Sequence, residues 1–113
     1  MRIREIRQLL DARLLCGEAL LDEEIHTACG SDLMSDVLAF GDGKMLITGL
    51  VNPQVIRTAE MMDIRCIVFG RDKTPDANMI EMARERDIVL MASRKSMFDI
   101  CGRLYAAGLR GGE

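Results

Sequence analysis

Between residues 44 and 109 the chain repeats one unit three times: a short apolar run, a polar turn, then an amphipathic helix. The runs are Met45-Leu46-Ile47-Thr48, Cys66-Ile67-Val68-Phe69 and Ile88-Val89-Leu90-Met91. None alternates with polar residues, which is the pattern of parallel strands covered on both faces. The intervening stretches have helical periodicity. The helix after Asn52 turns Val55, Ile56, Ala59 and Met62 inward; the next turns Met79, Ile80 and Ala83 inward; the last turns Met97, Cys101, Leu104, Tyr105 and Gly108 inward. Such units require an α/β fold: a small three-layer sandwich with a mainly parallel central sheet and helices on both faces. Right-handed crossovers gather the three polar junctions at the carboxyl edge of the sheet, where open parallel sheets bind ligands.

The residues before the repeat extend this layout. Ile3, Ile6, Leu9 and Leu10 recur at helical spacing and predict an amphipathic first helix. Leu14-Leu15-Cys16 reads as a short strand closed by Gly17, and residues 25–29 read as a second. Ser31 or Asp32 is placed to cap a helix over residues 33–40, with Asp36 in its first turn. The tail Gly111-Gly112-Glu113 is expected to fray. With 113 residues and 49% hydrophobic content, one domain spanning residues 1–113 is the expectation.

Charge and cysteine spacing narrow the function classes. The net charge of −3 is spread over mixed signs, and no broad basic field offers itself to a phosphate backbone, so nucleic acid is not an expected partner. No apolar run approaches the roughly 20 residues of a membrane span, and the charged start Met1-Arg2-Ile3-Arg4-Glu5-Ile6 is unlike a signal peptide; a cytoplasmic protein is expected. The four cysteines, at 16, 29, 66 and 101, form no C-x-x-C pair, and His26 is the one histidine available to join them, so no metal site and no cofactor is assigned. Cys66 and Cys101 fit apolar faces. Nine methionines in 113 residues are a compositional oddity; most are expected in the core, while Met61 and Met82, beside the buried stripes of their helices, are expected at an edge that a second copy covers.

The junctions carry the chemistry. The first, Thr48-Gly49-Leu50-Val51-Asn52-Pro53, combines a glycine for close backbone approach, an Asn cap and a first-turn proline. The second, Gly70-Arg71-Asp72-Lys73-Thr74-Pro75, has Thr74 in the cap position and two cations; the third, Ser93-Arg94-Lys95-Ser96, has two more. Thr48, Gly49, Asn52, Gly70, Arg71, Lys73, Ser93 and Arg94 are therefore the candidate ligand-binding residues, suited to a small anion or nucleotide at helix amino termini. Asp32 and Asp36, four apart, are spaced to share a helix face and to hold Mg²⁺, though capping accounts for both. Neither G-x-G-x-x-G nor G-x-x-x-x-G-K-[ST] occurs, and no Ser or Cys is paired with a base. No catalytic residue is assigned.

Ser31-Asp32-Leu33-Met34-Ser35-Asp36-Val37-Leu38-Ala39-Phe40, Leu46-Ile47-Thr48-Gly49-Leu50, Asn52-Pro53-Gln54-Val55-Ile56-Arg57-Thr58-Ala59-Glu60-Met61 and Cys66-Ile67-Val68-Phe69-Gly70-Arg71 together resemble the DRTGG domain family in its short stand-alone form. The likeness covers nearly the whole chain. The naming letters are altered: Leu50-Val51-Asn52 stands where relatives carry the Asp-Arg part, and Gly70-Arg71-Asp72 near the Thr-Gly-Gly part. Similar domains occur within phosphate acetyltransferases and CBS-containing pyrophosphatases, where they are regulatory and dimer-forming. The resemblance implies a non-catalytic homodimeric domain that senses an anionic metabolite or adenine nucleotide. The alternative it implies is a protein-interaction adaptor for a metabolic or redox complex such as a hydrogenase.

Overall fold

A computed structural model describes residues 1–112. Five strands, β1 (Arg13–Cys16), β2 (Ala28–Gly30), β3 (Met45–Thr48), β4 (Cys66–Phe69) and β5 (Val89–Ala92), form one sheet in the order β1-β5-β4-β3-β2. β2 to β5 run parallel, and β1 closes the β5 side antiparallel, with its register shifted between Leu14 and Cys16. The helices are α1 (Ile3–Leu10), α2 (Met34–Phe40), α3 (Pro53–Met61), α4 (Ala77–Glu85) and α5 (Met97–Ala106).

From β2 to β5 the strand order advances one place at a time in one direction. Crossovers of a single hand therefore put α2, α3 and α4 on one face. Met34, Val37, Val55, Ile56, Ala59, Met79 and Ala83 pack there against Leu46, Ile67, Phe69 and Leu90. On the opposite face α1 and α5 bring Ile3, Ile6, Leu10, Ile100 and Leu104 against Met45, Ile47, Cys66, Val68, Val89 and Met91. Neighbouring residues of each strand thus serve opposite cores, and β3, β4 and β5 are buried at every position. The α/β three-layer sandwich with helices on both faces is the observed architecture.

Four helices stop by the same device. Ala12, Ile64, Ile88 and Leu109 each return an amide to a carbonyl five residues earlier, and each is buried. The residue before each has positive φ: Asp11, Asp63, Asp87 and Gly108. This is the Schellman arrangement, in which a left-handed residue reverses the chain and an apolar residue tucks beneath the last turn. Aspartate fills the glycine position three times out of four, at a conformational cost.

Several sequence expectations shift. The second strand is Ala28–Gly30 rather than residues 25–29, because Ile25 is drawn wholly into the core and the chain straightens only after it. The third run begins pairing at Val89, since Ile88 belongs to the preceding helix stop. On α5 the inward positions include Ile100, while Tyr105 is 62% exposed and Gly108 is exposed in the turn; Arg110 lies over the Tyr105 ring at 4.0 Å. The helix is rotated so that Leu104, not Tyr105, faces the sheet. Arg110, just before the tail expected to fray, is bridged to Thr27 and accepts the Ala28 amide at 2.9 Å. Gly112 lies close against Asp42; Glu113 lies outside the described residues.

Candidate functional site

The parallel strands deliver four loops to the carboxyl edge, one more than the repeat predicts, because β2 joins β3 in register. Strand order does not reverse between β2 and β5, so no crevice opens between diverging crossovers. The cleft at this edge is made by the loops themselves.

The loop after β3 begins at Thr48, whose buried hydroxyl accepts the Leu50 amide at 3.1 Å and donates to Asp32 Oδ1 at 3.0 Å. The Gly49 amide donates to the same oxygen at 2.6 Å. Asp32 is therefore not the cap of α2. It precedes that helix, its carboxylate is spent on the β3 loop, and it does not share a helix face with Asp36. Leu33 starts α2 without a side-chain cap, while the Ser31 hydroxyl takes the Leu33 amide at 3.0 Å. Asn52 behaves as the sequence predicts, accepting the Gln54 amide at 2.9 Å ahead of Pro53.

The loop after β4 is a tight reversal. Arg71 and Asp72 both have positive φ, and the Lys73 amide returns to Gly70 O at 3.2 Å, the φ pattern of a type I′ turn built without glycine at its centre. Strained backbone of this kind persists where surrounding bonds over-determine it. Here the Arg71 amide donates to Lys95 O at 2.9 Å and the Asp72 amide to Ser93 O at 2.7 Å. Arg13 reaches both the Asp72 carboxylate at 3.1 Å and the Thr74 hydroxyl at 3.0 Å. With Thr74 engaged by Arg13 and Pro75 buried, α4 starts later than predicted, capped by Asp76, which accepts the Met79 amide at 2.9 Å.

In the loop after β5, Ser93 is fully buried and its hydroxyl donates to Leu10 O at 2.8 Å, tying the strand end to α1. Ser96 caps α5 through the Asp99 amide. Arg94 projects outward and is exposed.

Gly49, Gly70, Arg71, Lys73, Asp32 and Met97 line one cleft of about 100 Å³. Lys73 Nζ anchors it by donating to Gly49 O at 3.1 Å. Among the described residues no carboxylate lies within ion-pair distance of Arg71, Lys73, Arg94 or Lys95. Of the eight sequence candidates, Gly49, Gly70, Arg71 and Lys73 converge on the cleft, and Thr48 stands behind it through Asp32. Asn52, Ser93 and Arg94 are at the same edge but do not line it. Met97 was expected only as an inward position of the last helix, and Asp32 only as a cap or, with Asp36, a metal ligand; its place two residues after the end of β2 is what turns it to the β3 loop instead.

A roomier hollow of about 240 Å³ lies between β2, α5 and the chain end, lined by Gly30, Ile47, Cys101, Leu104, Tyr105 and Arg110 among others. Its lining is mainly hydrocarbon. Burial pushes the Cys101 thiol up, so it stays protonated, and the Arg110 guanidinium is held by the Tyr105 and Leu109 carbonyls. Polar groups suited to an anion are in the smaller cleft. His26 is exposed, and no group of three or more His, Cys, Asp or Glu side chains that could hold a metal ion occurs among the described residues. No helix among them is long and apolar enough to cross a membrane.

The fold is similar to that of the CBS and DRTGG domains of the regulatory region of Clostridium perfringens pyrophosphatase, solved with its activator diadenosine tetraphosphate. The TM-score is 0.72 at 14% sequence identity, and the match covers 91% of this chain. It covers 45% of that structure, so this chain spans less than half of it. At that identity the likeness is one of fold. No family model and no curated protein sequence matches the chain.

Proposed function

We propose that residues 1–113 form a single regulatory domain of the DRTGG kind, a homodimer without catalytic activity that senses an anionic metabolite or adenine nucleotide at the carboxyl edge of its sheet. One observation carries this reading: Arg71 and Lys73, two cations without carboxylate partners among the described residues, flank a cleft floored by two glycines, Gly49 and Gly70. Ligand charge neutralises what the fold leaves unpaired. The similarity in fold to a regulatory region solved with a nucleotide activator supports the same reading. So does the sequence, which pairs no nucleophile with a base.

A thermal-shift series against nucleotides and phosphorylated metabolites tests it. A ligand present at a hundred times its Kd stabilises the fold by about 2.7 kcal/mol, which raises the melting temperature of a domain this size by about 10 °C or more. No shift with any compound at millimolar concentration overturns the proposal.

The second reading is a protein-interaction adaptor, favoured by exposed apolar side chains: Phe98 at 85%, Phe40 at 81% and Met61 at 74%. Met82, the other methionine singled out by its spacing, is only partly exposed. If Met61→Lys or Phe98→Lys abolishes a co-purifying partner while Arg71→Ala does not, the adaptor reading replaces the sensor.

A further inference from the structure

The cleft over Gly49 is bipolar rather than uniformly cationic. Asp32 Oδ1 is occupied by the Thr48 hydroxyl and the Gly49 amide, which hold the carboxylate in place. Oδ2 accepts from no protein donor among the described residues. A methyl carbon built on Gly49 would lie 3.5 and 3.7 Å from the two carboxylate oxygens and 3.6 Å from Lys73 Nζ. Acceptor and cation therefore border one small space, yet no ion pair joins them within 4.0 Å. That space, about 100 Å³, is bordered by three exposed side chains, Asp32, Arg71 and Lys73, so it takes the polar part of a ligand whose remainder stays in solvent.

Each half excludes a different class of ligand. A bare sulfate would satisfy Lys73 and Arg71 but has no proton to donate to Asp32, and hydrogen phosphate can donate one only by bringing its own charge within a few ångström of that carboxylate. A neutral polyol would satisfy Asp32 and leave the cations unmatched. A molecule carrying a hydroxyl and a phosphate on one short skeleton matches both halves, and carboxylate recognition of ribose hydroxyls is a general solution to this problem in α/β sheets.

Granting that the edge binds an anion, as proposed above, we infer that the cleft selects a phosphorylated sugar. A ribose hydroxyl donates to Asp32 Oδ2, Lys73 and Arg71 hold the phosphate, and Asp32 acts as the specificity residue that turns away simple inorganic anions.

Calorimetric titration of the full chain tests this with four probes: adenosine monophosphate, its 2′,3′-dideoxy analogue, ribose 5-phosphate and inorganic phosphate. Wild type should bind adenosine monophosphate at least about tenfold more tightly than the dideoxy analogue, the usual scale for a hydrogen bond to a charged group. Inorganic phosphate should be weaker still. Retention of affinity by ribose 5-phosphate identifies the sugar phosphate, rather than the base, as the recognised part, and its loss overturns that assignment. Asp32→Asn keeps an oxygen for Gly49 but presents a donor to the cleft, so it should erase the hydroxyl preference and strengthen inorganic phosphate. Gly49→Ala, whose methyl meets Asp32 and Lys73 at ordinary contact distance, should crowd the groups that hold the ligand and weaken every probe without unfolding the domain. Equal affinity for the ribo and dideoxy forms, or a preference that survives Asp32→Asn, overturns this inference and leaves anion sensing standing. Absence of binding by all four probes overturns this inference, and only absence of any shift across the whole nucleotide and phospho-metabolite series overturns anion sensing with it.

Discussion

Asp32 Oδ1 receives the Gly49 amide at 2.6 Å, clasping the loop after β2 to the loop after β3. The same oxygen takes the hydroxyl of Thr48, which is fully buried. The glycine amide that the sequence offered to an external anion is thus already taken by an internal one, and what remains for a ligand is the outer oxygen of Asp32 and the two cations beyond it.

Removing the clasp should cost stability. Asp32→Ala leaves the buried Thr48 hydroxyl without its acceptor, an expected loss of about 1–2 kcal/mol after allowance for the exposed position of the carboxylate. Asp32→Asn, which retains an acceptor, should lose less than half as much. Urea denaturation of the two variants measures the difference; an Ala variant as stable as wild type would contradict the clasp.

Ser93 separates packing from binding at the same edge. Its buried hydroxyl donates to Leu10 O at 2.8 Å, so Ser93→Ala leaves a buried carbonyl short of a donor and should destabilise by about 1–3 kcal/mol. Affinity for adenosine monophosphate, measured below the melting temperature, should stay within about twofold. A large affinity loss at unchanged stability would assign Ser93 to the ligand.

Asp87 holds the left-handed position after α4 with φ 55°. Its amide returns to Arg84 O, and Ile88 follows it into the core. Asp87→Gly should relieve the backbone cost and stabilise the protein by about 0.5–1 kcal/mol, net of the extra freedom glycine gives the unfolded chain. A raised urea midpoint checks this; a lowered one would mean that the Asp87 side chain makes a contribution larger than its strain.

These helix stops show what the sequence carried openly and what it did not. The apolar runs at 45–48 and 66–69 were legible because burial on both faces writes four consecutive core residues into the chain. Val55, Ile56 and Ala59 were legible because a one-sided helix must repeat. Asp11, Asp63 and Asp87 were not, since aspartate also caps helix starts and solvates turns, and only the fold reveals its positive φ. The same ambiguity hid Asp32. Next to Ser31 and ahead of an apolar helix it has the sequence signature of a cap, while its partners Thr48 and Gly49 become neighbours only when β2 pairs with β3. Thr74 failed as a cap for a parallel reason, its hydroxyl being claimed by Arg13 from the far side of the chain.

The thiols and carboxylates set opposite ends of the stability profile. Burial pushes Cys16, Cys29, Cys66 and Cys101 up from an ordinary value near 9.0, Cys66 most of all because it is fully enclosed. A pKa raised on folding gives stability that is intact below the unfolded value and is lost as pH climbs above it, so stability should decline above about pH 9. Cys66→Ala should flatten that decline. At the acid end, Arg4 lowers Asp22, the amino terminus lowers Glu24, and Lys44 lowers Asp63. A lowered pKa gives stability present above the unfolded value and lost as pH falls through the folded one, so a second decline begins below about pH 4. Urea midpoints across the pH range test both slopes; a profile flat above pH 9, or unchanged by Cys66→Ala, would contradict the alkaline half.

Titration of the ¹⁵N-labelled domain with adenosine monophosphate, following every backbone amide, tests the central claim most directly. Saturable shifts concentrated on Gly49, Gly70, Arg71 and Lys73, and weakened in Gly49→Ala, are the predicted result. Spectra that do not move at millimolar nucleotide, or shifts confined to the apolar hollow around Cys101, Leu104 and Arg110, would contradict it.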